Sequence, residues 1–211
     1  MTTRTDGAAT RQRILDVAQR LVLRQGFSAT TVDAVIGELG ITKGAFFHHF
    51  GSKADLGLAL VRRYADRDIA DLHRYWARAD DLARDPRQRV LLFVGLLAED
   101  AESFLGDEPG CLYGSYVYEQ QVFGPEIRAV VAESVLAWRT TLADRLRDVL
   151  GHHPAPLPVD PDSLADTVLT AFEGAYVLSR ATGEPGILRA QLGHVRSYLE
   201  LLLLPAPPPL D

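Results

Sequence analysis

The chain has 211 residues, 47% hydrophobic and 24% charged, which describes an ordinary globular protein long enough to bury a real core. Its net charge of -6 argues at first sight against a nucleic-acid partner, and its one cysteine, Cys111, excludes an intramolecular disulfide and suits a reducing compartment. No apolar run reaches the roughly 18 residues of a membrane span and the opening residues hold no apolar leader core, so the expected location is the cytoplasm, with no membrane partner.

The charge is unevenly spread. Residues 1 to 63 hold nine Lys or Arg against five Asp or Glu, and the remainder thirteen against twenty-three. An acidic body with a small basic head is the electrostatics of a protein that meets DNA through one end. The opening helix is read from near Ala9 to Gln25, because Ile14, Val17, Ala18, Leu21 and Val22 fall on one stripe and Arg11, Arg13, Arg20 and Arg24 fall elsewhere. Gly26 ends it, and Phe27 plugs the gap to the next helix.

The stretch from Thr30 to Leu56 reads as a helix-turn-helix. Val32, Val35, Ile36 and Leu39 recur at helical spacing, with Gly40 placed for a left-handed stop. Thr42 then caps a short helix from Lys43 to about His49, whose Phe46 and Phe50 pack back on its predecessor. So tight a turn forces a steep crossing and leaves Lys43, Gly44, Ala45, Phe47 and His48 standing outward, a geometry that fits a major groove. Thr30 with Asp33, and Ser52 with Asp55, make the S/T-x-x-D pattern of helix starts.

From Ser52 the apolar positions Leu58, Val61, Ala65, Ile69, Leu72 and Trp76 predict one long helix of about 25 residues, with no Pro- or Gly-rich linker after the head. After Asp85-Pro86 a helix is predicted to about Leu105, closed by the loop GDEPG. A shorter helix follows within residues 110–125, ended by Gly124, and its successor runs from Pro125 to about Leu150. The run GHHPAPLPVDP, with four prolines, interrupts the pattern, its Asp160 and Pro161 opening a helix to Thr182, and a last helix carries Leu188, Leu192, Val195, Leu199 and Leu202. The tail PAPPPLD is expected to be disordered. The fold class is all-α, without internal repeats.

The run GFSATTVDAVIGELGITKGAFFHHFGSKADL closely resembles the N-terminal domain of the TetR family of bacterial transcriptional regulators, with T-T-V, G-I-T-K-G, F-F-H-H-F and G-S-K at matching mutual spacings. It covers roughly residues 10 to 56, and beyond them the likeness is architectural. Membership implies an N-terminal three-helix helix-turn-helix DNA-binding domain, residues 1–51, and a larger C-terminal helical ligand-binding and dimerisation domain, residues 52–204, ahead of the tail 205–211. It implies a homodimer whose third helix enters the major groove of a double-stranded operator and whose body holds a pocket for a small-molecule inducer of unknown identity. Position by position, Thr31 and Lys53 would contact phosphate, while Thr42, Lys43, Gly44, Ala45, Phe47 and His48 would line the groove. Hydroxyls and ammonium groups at helix N-termini suit phosphate oxygens, and Gly44 and Ala45 let the backbone approach bases. The sequence departs from the family at Phe47, where Tyr is common, and at Ile36 and Leu39, where Ala is common.

Within the body, Phe93, Tyr113, Ser115, Tyr116, Gln120, Trp138, Phe172 and Tyr176 are the ligand-binding candidates. Most aromatic side chains there must be core, yet tyrosines whose hydroxyls need partners also suit an apolar cavity with a few polar anchors. Ala171, Ala175, Leu178, Leu188, Leu192, Val195 and Leu199 on the last two helices fit either a monomer core or a dimer interface, and the resemblance favours the interface. Neither His48 with His49 nor His152 with His153 makes a metal site, because adjacent helical residues point about 100° apart. Packing accounts for Cys111 better than redox sensing does. No G-x-S-x-G, phosphate loop or H-E-x-x-H occurs, so no catalytic residue, metal or cofactor is assigned. The reading is a regulator, a repressor released from a palindromic operator by its ligand. The rival is an all-α ligand carrier or enzyme with an incidental helix-turn-helix.

Overall fold

The computed structural model describes residues 3–105, 111–119 and 124–203, and over them the chain is all α. The helices are α1 Thr3–Gln25, α2 Val32–Leu39, α3 Lys43–His49, α4 Lys53–Leu82, α5 Pro86–Glu99, α6 Ala101–Leu105, α7 Leu112–Tyr118, α8 Pro125–His152, α9 Pro161–Thr182 and α10 Gly186–Leu202. By compactness they form two units, Met1–Arg67 with Gly110–Glu133, and Asp68–Pro109 with Ser134–Asp211. The loop GDEPG, Gln120 and the tail lie outside the described residues.

In the first unit, the α1 stripe of Ile14, Val17, Ala18, Leu21 and Val22 is buried together with Val35, Phe46, Phe50, Leu60, Val61 and, from α7, Leu112 and Tyr116. Burying a side chain the size of Phe46 contributes about 1.5 to 3 kcal/mol, so these positions hold the short helices α2 and α3, which are too short to persist alone. Two ion pairs and a hydrogen bond fasten the rim: Arg20 donates to Glu38 at 2.9 Å, and Arg63 to Asp16 at 2.6 Å and to the neutral Gln19 at 2.7 Å. The start of α2 differs from the S/T-x-x-D expectation. Thr31 is the cap, accepting from the Ala34 N–H at 3.0 Å, while Thr30 is buried and donates to the Gly26 carbonyl at 2.8 Å.

The second unit is built on aromatic stacking and leucines. Trp76 stacks on Phe93 with centroids 4.0 Å apart, and α10 packs against α5 and α9 through Leu188, Leu192, Val195 and Leu199. The helix expected to run unbroken to Leu105 is two, α5 and α6, divided at Asp100. There the Asp100 carboxylate accepts the Tyr75 hydroxyl at 2.7 Å, and its carbonyl restarts the chain by accepting from Ser103 and Phe104. The long helix from the head continues to Leu82 for 30 residues, and Asp160 caps α9 by accepting from the Ser163 N–H at 3.1 Å.

Candidate nucleic-acid interface

Gly40 ends α2 at φ 65°, a left-handed turn that favours a residue without Cβ, and two residues later Thr42 begins α3. The Thr42 hydroxyl accepts from the Ala45 N–H at 3.1 Å. Phe46 and Phe50 fix the inner side of α3, with rings 5.8 Å apart, and Phe46 is fully buried. With those two turned inward, Thr42, Lys43, Gly44, Phe47 and His48 are exposed and Ala45 is half-buried. Phe47 is 44% exposed, a large apolar side chain left in solvent on the face that sequence patterning turns outward. Lys43 makes a wholly exposed ion pair with Asp33 at 3.5 Å, worth little in water, so its ammonium is free to move to another anion.

The two phosphate candidates differ in their surroundings. Thr31 is exposed at the N-terminus of α2, and since its oxygen accepts from Ala34 its own proton remains to donate outward. Lys53 is turned inward. Its Nζ donates to the Ser28 carbonyl at 3.0 Å and lies 4.6 Å from the centre of the Phe27 ring. Burial lowers the Lys53 pKa, and the nearby Glu119 charge opposes that. The signal missing from sequence reading is Glu119 itself, which lies 91 residues beyond Ser28 and accepts from both the hydroxyl and the N–H of Ser28.

The ligand candidates do not fall in one cluster. Tyr113 and Tyr116 belong to the core of the first unit, Tyr113 edge-on to Tyr64 at 4.9 Å and Tyr116 donating to the Gly57 carbonyl at 3.1 Å. Ser115 is half-buried in the same unit, and Gln120 is outside the described residues. Phe93 and Trp138 lie in the second unit with ring centroids 6.1 Å apart, and the Trp138 indole donates to Asp68 at 2.8 Å. Phe172 and Tyr176 lie in the same unit with ring centroids 5.3 Å apart, and Tyr176 donates to the Phe104 carbonyl at 2.6 Å. A cleft of about 520 Å³ in the first unit is lined by Arg11, His49, Asp55, Arg62, Arg63 and Asp66 among others, too charged for an apolar inducer.

The interface candidates divide by face. Ala175, Leu188, Leu192, Val195 and Leu199 are buried in the second unit's own core. Ala171 is half-buried and Leu178 is 50% exposed. The large apolar side chains left outside on α9 and α10 are Val177 at 55%, Leu178, Tyr198 at 48% and Leu201 at 67% exposure.

A capped, outward-facing second helix on a small helical head defines the helix-turn-helix class of DNA-binding regulators. The comparisons are specific about which. A family model described as bacterial regulatory proteins, tetR family, matches residues 14–60, and one for the C-terminal domain of LmrA/YxaF-like transcriptional regulators matches residues 86–192. The chain is 27% identical over 190 residues to the transcriptional regulator AcuR of Cereibacter sphaeroides, spanning 88% of this chain and 83% of that one. A TetR transcriptional regulator of Chloroflexus aurantiacus shares the fold with a TM-score of 0.77 at 23% identity over 96% and 100% of the two chains. A transcriptional regulator from Saccharomonospora viridis, solved in complex with choline, matches with a TM-score of 0.63 at 25% identity over 92% and 94%. The chain belongs to the TetR family of bacterial transcriptional regulators.

Among the described residues no helix is long and apolar enough to cross a membrane, and no group of three His, Cys, Asp or Glu could hold a metal ion.

Proposed function

We propose that this regulator acts without catalysis as a homodimeric repressor that binds a palindromic operator and is released by a small molecule. The observation that carries the reading is the exposed row Thr42, Lys43, Gly44, Phe47 and His48 on a helix whose other side is locked by Phe46 and Phe50. Lys43 and its neighbours read base edges, and Thr31 and Lys53 hold phosphate. Residues 1–51 serve DNA, and residues 52–204 serve ligand binding and pairing.

Two copies pair through the exposed apolar residues of α9 and α10, namely Val177, Leu178, Tyr198 and Leu201. The ligand site falls in the second unit near Phe93, Trp138, Phe172 and Tyr176. Supporting this, the Trp76 indole N–H and the Ser179 hydroxyl are buried there without a hydrogen-bond partner, polar groups that a ligand would satisfy. The choline complex of the Saccharomonospora viridis protein supports a small-molecule site in a body of this kind. Release requires the ligand to favour a form in which the two heads no longer match successive grooves. A thousandfold loss of operator affinity needs about 4 kcal/mol of differential binding, and operator weakens the ligand by the same factor. Selection of duplexes from a random pool by the purified protein tests the reading. A palindrome whose half-sites lie about one helical turn apart supports it, and a pool that stays random after repeated rounds opposes it.

A further inference from the structure

The turn between α1 and α2 carries a ready donor set for an anion. The Phe27 N–H donates to Glu119 Oε1 at 2.8 Å, the Ser28 N–H donates to Oε2 at 2.7 Å, and the Ser28 hydroxyl donates to the same oxygen. Gly26, at φ 84°, turns the chain so that the two consecutive N–H groups converge. A Cβ at Gly26 would stand 2.6 Å from Oε1, so the carboxylate sits where only glycine allows it. Lys53 completes the set, bonded to the Ser28 carbonyl at 3.0 Å and within the field of Glu119. All of these residues belong to one compact unit. Two backbone N–H groups, a hydroxyl and an ammonium are the groups that proteins turn toward a phosphate of the DNA backbone. They lie beside Thr31 and include Lys53, both already assigned to phosphate.

We propose that the Gly26–Ser28 turn and Lys53 form a binding site for a DNA backbone phosphate, and that Glu119 fills it in the present conformation as an internal substitute. This rests on the reading that the head binds DNA. Carboxylate and phosphate cannot share the same donors, since both are anionic, so the seat of Glu119 and that phosphate contact exclude each other. Withdrawal of Glu119 from the turn frees the two N–H groups, the hydroxyl and Lys53 together. A carboxylate at the end of α7 thereby sets how many phosphates the head can hold.

The test uses the full-length protein and a fluorescent random-sequence duplex of roughly 30 base pairs, titrated by anisotropy over a series of salt concentrations. Glu119→Gln is expected to bind about tenfold tighter at low salt, with a slope of log affinity against log salt steeper by about 0.9. The exposed Glu126→Gln, an equal change of charge in the same unit, is expected to give no such gain, and adding Lys53→Ala to Glu119→Gln should abolish it. Thermal melts verify folding, and should Glu119→Gln prove unfolded, Glu119→Asp, one methylene too short for the same grip, is expected to show part of the gain. Unchanged or weaker binding by the folded Glu119 variants overturns the proposal, as does an equal gain from Glu126→Gln. If the wild type shows no salt-dependent binding to any duplex, the DNA-binding reading falls as well, a result distinct from a wild type that binds and a Glu119 variant that does not improve on it.

Discussion

The Tyr116 hydroxyl donates to the Gly57 carbonyl at 3.1 Å, which fastens α7 to the first turns of α4 at a glycine, where α4 presents no side chain to Phe27. Phe27 and Tyr116 lie with ring centroids 5.8 Å apart, and a Cβ on Gly57 would come 2.8 Å from the Phe27 ring, itself buried. Burial, with the Glu119 charge adding, raises the Tyr116 pKa, so its hydroxyl stays a neutral donor. Gly57→Ala should therefore destabilise the protein by about 1 to 3 kcal/mol through overpacking. Tyr116→Phe, which removes one neutral hydrogen bond, should cost about 0.5 to 1.5 kcal/mol. Urea melts compare them directly, and a neutral Gly57→Ala would contradict the packing.

At the proposed pairing face, Leu201 and Leu199 separate two kinds of apolar residue on one helix. Leu201 is 67% exposed and Leu199 fully buried. Leu201→Glu should give a folded monomer in sedimentation, with operator binding weakened because two half-sites are no longer held together. Leu199→Glu should instead lose several kcal/mol of stability, since it buries an unpaired charge. A Leu201→Glu protein that remains dimeric moves the interface off this face.

For recognition, Lys43→Ala should relax base preference by about 1 to 3 kcal/mol at one position. Thr31→Ala should weaken binding about equally on all sequences and also cost about 1 kcal/mol of stability through the lost cap. Affinities on a selected duplex and on a scrambled one make the comparison. Equal losses on both duplexes for Lys43→Ala would remove its reading role.

The grip on Glu119 has a pH signature. Burial raises its pKa, but the hydrogen bonds from Ser28 and Phe27 and the Lys53 charge outweigh burial and leave it below the usual value. A carboxyl depressed in the native state adds stability above the unfolded value, about 4.3, and loses it as pH falls through the lower native value. Wild type should thus be more stable than Glu119→Gln near neutral pH, with the gap closing as acid is added below about pH 4. A gap that widens in acid would contradict the sign.

What was legible in the sequence was local. Thr42, Ser52 and Asp160 announce their helices because a cap acts within three residues, and the Ser52 oxygen does accept from the Asp55 N–H. Where two hydroxyls stand side by side the S/T-x-x-D pattern selects Thr30 through Asp33, yet Thr31 caps α2. The break at Asp100 was hidden because Leu97, Ala101 and Phe104 keep helical phase across it, and its partner, Tyr75, is 25 residues away. An apolar stripe shows which face is covered but not by what. For that reason the stripe of Leu188, Leu192 and Leu199 leaves core and interface equally open, and only the structure shows these leucines packed in the core of the second unit and Tyr113 and Tyr116 in that of the first.

The central claim is that the exposed face of α3 reads DNA on behalf of a dimer. Footprinting of the purified protein on the duplex it selects, with Lys43→Ala beside it, tests this most directly. The account predicts protection of two successive major grooves about 34 to 36 Å apart, symmetric about the palindrome and lost on the selected duplex for Lys43→Ala. Protection of a single groove, or a footprint that Lys43→Ala leaves unchanged, would contradict it.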